Sequence, residues 1–278
     1  MATLWKYDSP SLHLSHALDE HPEDRAFRLH VHENYELLCI VSGKVGYMVE
    51  GQIYDIRAGS IMLMRSAETH KLLVNGNERY ERYTLNFKPE LIAQYGFSDE
   101  ILRAFTQRGL GERNMYLSSE LEGIDTVGIF RHMENACNSL PPDTVIASGL
   151  VTLMCSIDSA FRRQPTGAYQ SDAELGKRLI DHINENLLSD LSLASISEQI
   201  HMSTSQINRI FRKLTGTSVY NYILSKRLIV AQGMIAKGES AIGASQRCGF
   251  HDYSSFYRLY KKRFGTAPTA VKKNIERV

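Results

Sequence analysis

"LSLASISEQIHMSTSQINRIFRKLTG" (residues 191–216) and "SAIGASQRCGFHDYSSFYRLYKKRFG" (residues 240–265) follow one plan. Each opens on a short run of small and apolar residues: Ala194, Ile196 and Ile200 in the first copy, Ile242, Ala244 and Cys248 in the second. A break of three or four residues follows. Apolar residues then return at three- and four-residue intervals, as Ile207, Ile210, Phe211 and Leu214, and as Phe256, Leu259, Tyr260 and Phe264. That spacing belongs to an amphipathic helix, and each copy ends on a glycine where a helix C-terminus favours one. The pattern predicts a short helix, a tight turn and a second helix, twice. Between the copies, "SVYNYILSKRLIVAQGMIAKG" (218–238) reads as one continuous helix, roughly 30 Å long at about 1.5 Å per residue.

Two helices joined in this way make a helix-turn-helix, whose second helix enters the major groove and presents its outer face to base edges. In the first copy that face carries Ser205, Gln206, Asn208, Arg209 and Arg212. In the second it carries Tyr253, Ser254, Tyr257, Arg258, Lys261 and Lys262. Amides and guanidinium groups match base edges, whereas ammonium groups and hydroxyls suit phosphates. A connector of this length sets two reading helices about one turn of DNA apart, roughly 34 Å.

The charge distribution agrees. The net charge of +1 conceals 16 Lys and Arg against 22 Asp and Glu in residues 1–171, and 16 against 9 in residues 172–278. A basic C-terminal third implies a polyanionic partner, double-stranded DNA.

Residues 174–273 resemble the DNA-binding domain of the AraC/XylS family of transcription regulators. The resemblance is carried by "SLASISEQIHMSTSQINRIFRKLTGTSVYNYILSKRLIVAQGMI" and by "IGASQRCGFHDYSSFYRLYKKRFGTAPTAVKK", above all by Gly249-Phe250, Phe256, Lys261-Lys262, Phe264-Gly265 and Pro268. It implies that Arg209 with Ser205, Gln206 and Asn208 enters one major groove, and that Tyr253, Ser254, Tyr257 and Arg258 enter the next. Gln246-Arg247 departs from the small or aliphatic residues usual there, and Tyr257 has two readings, base contact or packing against Arg258 or the connector helix.

The N-terminal half is of another kind. From about Arg25 to Phe87, "ELLCIVSG", "KVGYMVEG", "QIYDIRAG", "SIMLMRS" and "RYTLNF" are short β-rich runs punctuated by glycines and by Asn75-Gly76, which predicts a small antiparallel barrel or sandwich. Helical spacing follows at 98–108, 119–139 and 143–163, the last two forming a hairpin about Pro141-Pro142. The low charge of 143–163 calls for a covering partner: the barrel, the preceding helix or a second subunit. A polar stretch at 164–172 is the expected linker between an effector-binding and dimerisation domain (1–163) and the DNA-binding domain (173–278). The fold class is therefore α+β, a β-barrel with a helical hairpin followed by an all-α domain.

"RLHVHENYE" places His30, His32 and Glu36 on one stretch, and "SAETH" ends at His70. Three imidazoles and a carboxylate form a ligand set suited to a divalent metal, and the half resembles the cupin fold, some of whose members are metal-dependent enzymes. The alternative reading is a pocket for a small polar effector such as a sugar, lined by His32, Glu36, Arg65, His70, Tyr47 and Tyr83. Arg65 stands where metal-binding cupins carry proline, and its charge opposes a cation; it either meets the ligand or pairs with Glu68 or Glu36. The expected protein is a regulator without cofactor or catalytic residues, with a metal-dependent cupin tethered to DNA as the alternative. The family resemblance makes activation, with RNA polymerase as partner, the default, in a homodimer.

The four cysteines, Cys39, Cys137, Cys155 and Cys248, are far apart and form no CxxC pair, which favours reduced, buried thiols. With no basic stretch leading into an apolar run at the start, and no apolar segment approaching about 18 residues, a cytoplasmic protein without a membrane span is expected.

Overall fold

The computed structural model describes residues 2–22, 27, 29–74, 78–121, 123–163, 174–215 and 217–269. The linker at 164–172, the Asn75-Gly76 turn and Gly216 lie outside these. The chain divides into two compact units, residues 1–30 with 34–172 and residues 31–33 with 173–278.

In the first unit the strands are β1 (Ala2–Asp8), β2 (Leu12–Asp19), β3 (Tyr35–Ser42), β4 (Val45–Val49), β5 (Gln52–Ile56), β6 (Ile61–Met64), β7 (His70–Leu73), β8 (Tyr80–Phe87) and β9 (Met115–Tyr116). Six form one sheet in the order β1-β2-β8-β3-β6-β9, and three form another in the order β5-β4-β7. The larger sheet works on both faces. Because successive side chains alternate, Leu37, Cys39, Ile61, Leu63, Tyr83, Leu85 and Phe87 join one core with the helices. Leu38, Ile40, Met62, Met64 and Tyr80 join a second core with Val45, Tyr47, Val49, Tyr54 and Ile56 of the smaller sheet. Strands buried on both faces read as unbroken apolar runs. The barrel also begins earlier than its sequence suggests, since β1 and β2 extend the sheet beyond β8.

Helices α1 (Glu90–Gln94), α2 (Arg103–Thr106), α3 (Thr126–Ala136) and α4 (Pro142–Arg163) cover the outer core. The expected helices at 98–108 and 119–139 are shorter. A 3-10 turn occupies Asp99–Leu102 ahead of α2, and Asp125 caps α3 by accepting from the Gly128 amide at 2.9 Å, which fixes its start. The hairpin is close-packed: a methyl group at Gly149 would lie 2.5 Å from Met133 Sδ.

Helix α4 corrects the expectation that no segment reaches spanning length, for its 22 residues include an 18-residue window of mean hydropathy 1.6. Its apolar side is used within the unit. Val145, Ile146, Leu150, Leu153, Met154, Ile157 and Phe161 are buried in the outer core, with Ser148, Thr152 and Cys155 on the exposed side. Cys39 and Cys248 are buried, but Cys155 is exposed and Cys137 half-buried, so the expectation of buried thiols holds for two of the four.

The second unit contains α5 (Glu174–Glu185), α6 (Leu193–Ile200), α7 (Thr204–Thr215), α8 (Val219–Ala236), α9 (Ala241–Arg247) and α10 (Tyr253–Phe264). Helix α8 is its spine. One end carries Tyr222, whose ring meets Phe211 edge-on at 5.1 Å. The other contributes Leu228, Ala231 and Ile235 to a core with Ala241, Ala244, Cys248, Phe250, Phe256 and Tyr260. A helix packed on several sides needs apolar residues around its circumference, and α8 has them. Side-chain caps start α6 at Ser192, α8 at Ser218, α9 at Ser240 and α10 at Asp252.

Candidate functional site

The exposed side of α7 is set by its buried one. With Ile207 and Phe211 fully buried, helical spacing leaves Ser205, Gln206, Arg209 and Arg212 exposed. Gln206 also closes the start of the helix: its Oε1 accepts from Ser203 N at 3.1 Å and Ser203 Oγ at 2.8 Å, while Ser203 Oγ accepts from Gln206 N. Asn208 differs from the expectation. It is half-buried, and its Oδ1 accepts from Val219 N at 3.4 Å, at the head of α8.

In α10, Phe256 and Tyr260 are buried, and Ser254, Arg258, Lys261 and Lys262 are exposed. The Asp252 carboxylate accepts from Ser254 N and Ser255 N, and the Ser255 hydroxyl, together with these backbone bonds, holds it below the ordinary carboxylate range. Arg258 donates to Ser255 Oγ at 3.2 Å. Tyr253 is half-buried against Phe256, and Tyr257 lies beside Tyr253 at 6.4 Å between rings, so both tyrosines pack as well as border the exposed face. The departing residue Arg247 pairs with Glu239 at 2.8 Å.

In the first unit a cavity of about 210 Å³ opens between the sheets. Strand β3 supplies Glu36 and Leu38, β8 supplies Tyr80, Arg82 and Thr84, β4 supplies Tyr47 and β7 supplies Leu72, with Phe27 and His30 from the segment before β3. Glu36 is buried, Arg82 half-buried. The Arg82 guanidinium stands 5.3 Å over the Tyr80 ring, and its Nε donates to Thr84 Oγ1 at 3.3 Å. Burial raises the Tyr80 hydroxyl to about 12 and holds Tyr47 well above its usual value, with the Glu36 charge adding to both. Both phenols therefore stay protonated and can donate.

The expected pocket residues divide. Glu36 and Tyr47 line the cavity. His70 is buried behind it, its Nδ1 2.9 Å from the Glu68 carbonyl, its ring stacked 6.0 Å from Tyr47 and edge-on to His30 at 4.1 Å. His32 falls in Val31–Glu33, the segment grouped with the second unit. Arg65 and Tyr83 do not line the cavity. Arg65 donates to the Phe105 carbonyl at 3.0 Å and approaches Glu68 at 3.9 Å. Tyr83 occupies the other face of β8, where it donates to Glu134 and stacks on Phe130 and His16. Of the four candidate metal ligands, His30 and Glu36 share the cavity.

A family model described as an AraC-like ligand binding domain matches residues 15–140, and one described as a helix-turn-helix domain matches residues 178–274. The chain belongs to the AraC/XylS family of transcription regulators. Its curated relatives include the transcriptional activator RhaR of Mannheimia succiniciproducens, 20% identical over 244 residues that cover 87% of this chain and 86% of that one. The probable transcriptional regulator LumQ of Photobacterium leiognathi is 24% identical over 252 residues, covering 88% and 92%. A crystal structure of ToxT from Vibrio cholerae aligns over 94% of this chain and 97% of that chain, at 13% identity and a TM-score of 0.42.

In this AraC/XylS chain the sequence reading missed Tyr80, Arg82 and Thr84 in the cavity and Arg227 in α8. Arg82 lies one residue from the expected Tyr83, and the alternation of β8 turns it to the cavity. Arg227 sits within the apolar text of α8, where nothing local marks it.

Proposed function

We propose that the chain is an effector-controlled transcription activator that reads two successive major grooves through α7 and α10. The observation that carries this reading is the sharing of one buried helix, α8, by two capped motifs whose exposed sides bear Arg209 and Arg212, and Arg258, Lys261 and Lys262. Cations in two rows suit phosphates on either side of a groove, and Arg209 and Gln206 suit base edges.

The cavity supports a small polar effector such as a sugar. It combines a carboxylate, a guanidinium, two protonated phenols and the Thr84 hydroxyl with the apolar walls of Leu38 and Leu72. Effector binding alters DNA affinity by a coupling of about 1–3 kcal/mol. The chain acts in the cytoplasm as a homodimer through α3 and α4, with RNA polymerase as the further partner of an activator. The described activators among its relatives support that direction.

Two titrations test the reading. In a thermal-shift screen of the full chain against sugars, sugar acids and divalent metals, a ligand of the folded state stabilises by RT ln(1+[L]/Kd). The expected result is a shift with one class of polar metabolite that EDTA leaves unchanged. A shift with metal alone favours the metal-dependent reading, and no shift with any compound favours a constitutive DNA binder. A gel-shift titration on a duplex selected from a random library then shows whether that ligand changes DNA affinity; an unchanged affinity counts against effector control.

A further inference from the structure

Arg227, in the middle of α8, directs its guanidinium at three backbone carbonyls. Nε donates to Leu187 O at 2.9 Å, Nη2 to Ser189 O at 2.7 Å and Nη1 to Gly249 O at 2.8 Å. The acceptors come from two separate connections. Ser189 lies three residues before Ser192, the N-cap of α6, and Gly249 three residues before Asp252, the N-cap of α10. One rigid planar group thus ties the entrance of the first motif to the turn of the second.

The second motif is shaped to receive it. Gly249 has φ +72°, a left-handed conformation that costs other residues energy, and a Cβ there would lie 2.8 Å from the Arg227 guanidinium carbon. The acceptors are neutral carbonyls, so the arrangement neutralises no charge. Its content is geometric: three directed bonds from a fork that lysine cannot reproduce.

We infer that Arg227 is a positioning residue that fixes the separation and angle of α7 and α10, so that both engage one duplex at once. The inference rests on the reading of these helices as the DNA-reading pair. When two modules are held at the right geometry, the second engagement is intramolecular and gains orders of magnitude in affinity; that gain vanishes when the geometry is lost. Loosening the clamp therefore weakens joint binding and spares each motif alone.

The test uses the full chain and a duplex selected by it from a random-sequence library, with two derivatives: one half-site scrambled, or one base pair inserted between the halves. Wild-type protein is expected to bind both derivatives about 100-fold more weakly than the intact duplex. Arg227→Lys is expected to bind the intact duplex at least about 10-fold more weakly than wild type, to bind the half-scrambled duplex within about 2-fold of wild type, and to tolerate the insertion. Equal weakening on intact and half-scrambled duplexes overturns the assignment, as does unchanged binding. Should Arg227→Lys melt below the assay temperature, Arg227→Gln is read in the same way; if that variant also fails to fold, Arg227 is a core support and the assignment falls. A wild-type chain that selects no duplex overturns the DNA reading itself.

Discussion

Arg108 grips Glu68 through both carboxylate oxygens, at 2.5 and 2.7 Å, where their side chains are 1% and 0% exposed. Glu68 also accepts from the Arg65 and Gly111 amides and the Asn114 side chain. The pair therefore joins the turn before β7 to the segment between α2 and β9. Burial alone would raise the Glu68 pKa, but the Arg108 charge and these bonds bring it below the usual 4.5. Its stabilising contribution is complete above pH 4.5 and is lost as pH falls through the depressed folded value. Glu68→Gln, which leaves Arg108 buried without its counter-charge, is expected to cost about 3–5 kcal/mol at pH 7. Urea unfolding of both proteins from pH 7 to pH 3 measures this, and the gap between them should narrow below pH 4.5.

The cavity makes a claim about neighbouring residues of one strand. Arg82→Ala and Glu36→Gln are each expected to reduce the thermal shift given by the effector, through a loss of about 10-fold or more in affinity if each group makes one charge-assisted bond. Tyr83→Phe, on the opposite face of β8, is expected to leave the ligand affinity unchanged. A ligand-binding defect in Tyr83→Phe equal to that of Arg82→Ala would contradict the placement.

On DNA, Arg209→Ala is expected to lose about 1–3 kcal/mol and to relax preference at one base pair, whereas Lys261→Ala weakens all sequences alike and lowers the salt slope by about one. Binding to a library of single-base operator variants separates the two effects. Asn208→Ala is expected to behave differently from either: it removes the acceptor of the Val219 amide, so it costs about 0.5–2 kcal/mol of stability and leaves base preference intact.

Thiol labelling gives an independent check on packing. Burial pushes Cys39 up to about 12 and Cys248 up to about 11. Only the thiolate reacts, so exposed Cys155 is expected to alkylate readily in the native protein, and Cys39 and Cys248 only on unfolding. Mass spectrometry of the labelled peptides reads the order.

The parts legible in the sequence were those whose local pattern has a single structural solution. The motifs at 191–216 and 240–265 combine helical spacing with capping residues such as Ser192, Ser240 and Asp252, and the structure has helices there within a residue or two. Strands β3, β4 and β6 announced themselves by apolar runs. Strands β1 and β2 did not: β1 is largely exposed and carries Thr3, Lys6 and Asp8, and β2 follows Leu12 and Leu14 on its apolar side with His16. In the cavity, Glu36 and Tyr47 followed from the text. Arg65 and Tyr83 were misjudged because alternation says which residues share a face but not which face meets the cavity. That choice is made by the second sheet and the helices, which no short window contains. Arg227 shows the same limit, since its partners lie about 20 to 40 residues away in the chain.

Strand β8 sends Tyr80, Arg82 and Thr84 to the cavity, and Tyr83, Leu85 and Phe87 to the helical layer. Even and odd positions thus answer to separate selection. New ligand chemistry can be written into one set by substitution at 82 or 84, while the other keeps the helices seated. A fold with this interleaving can change what it senses without relearning how to fold.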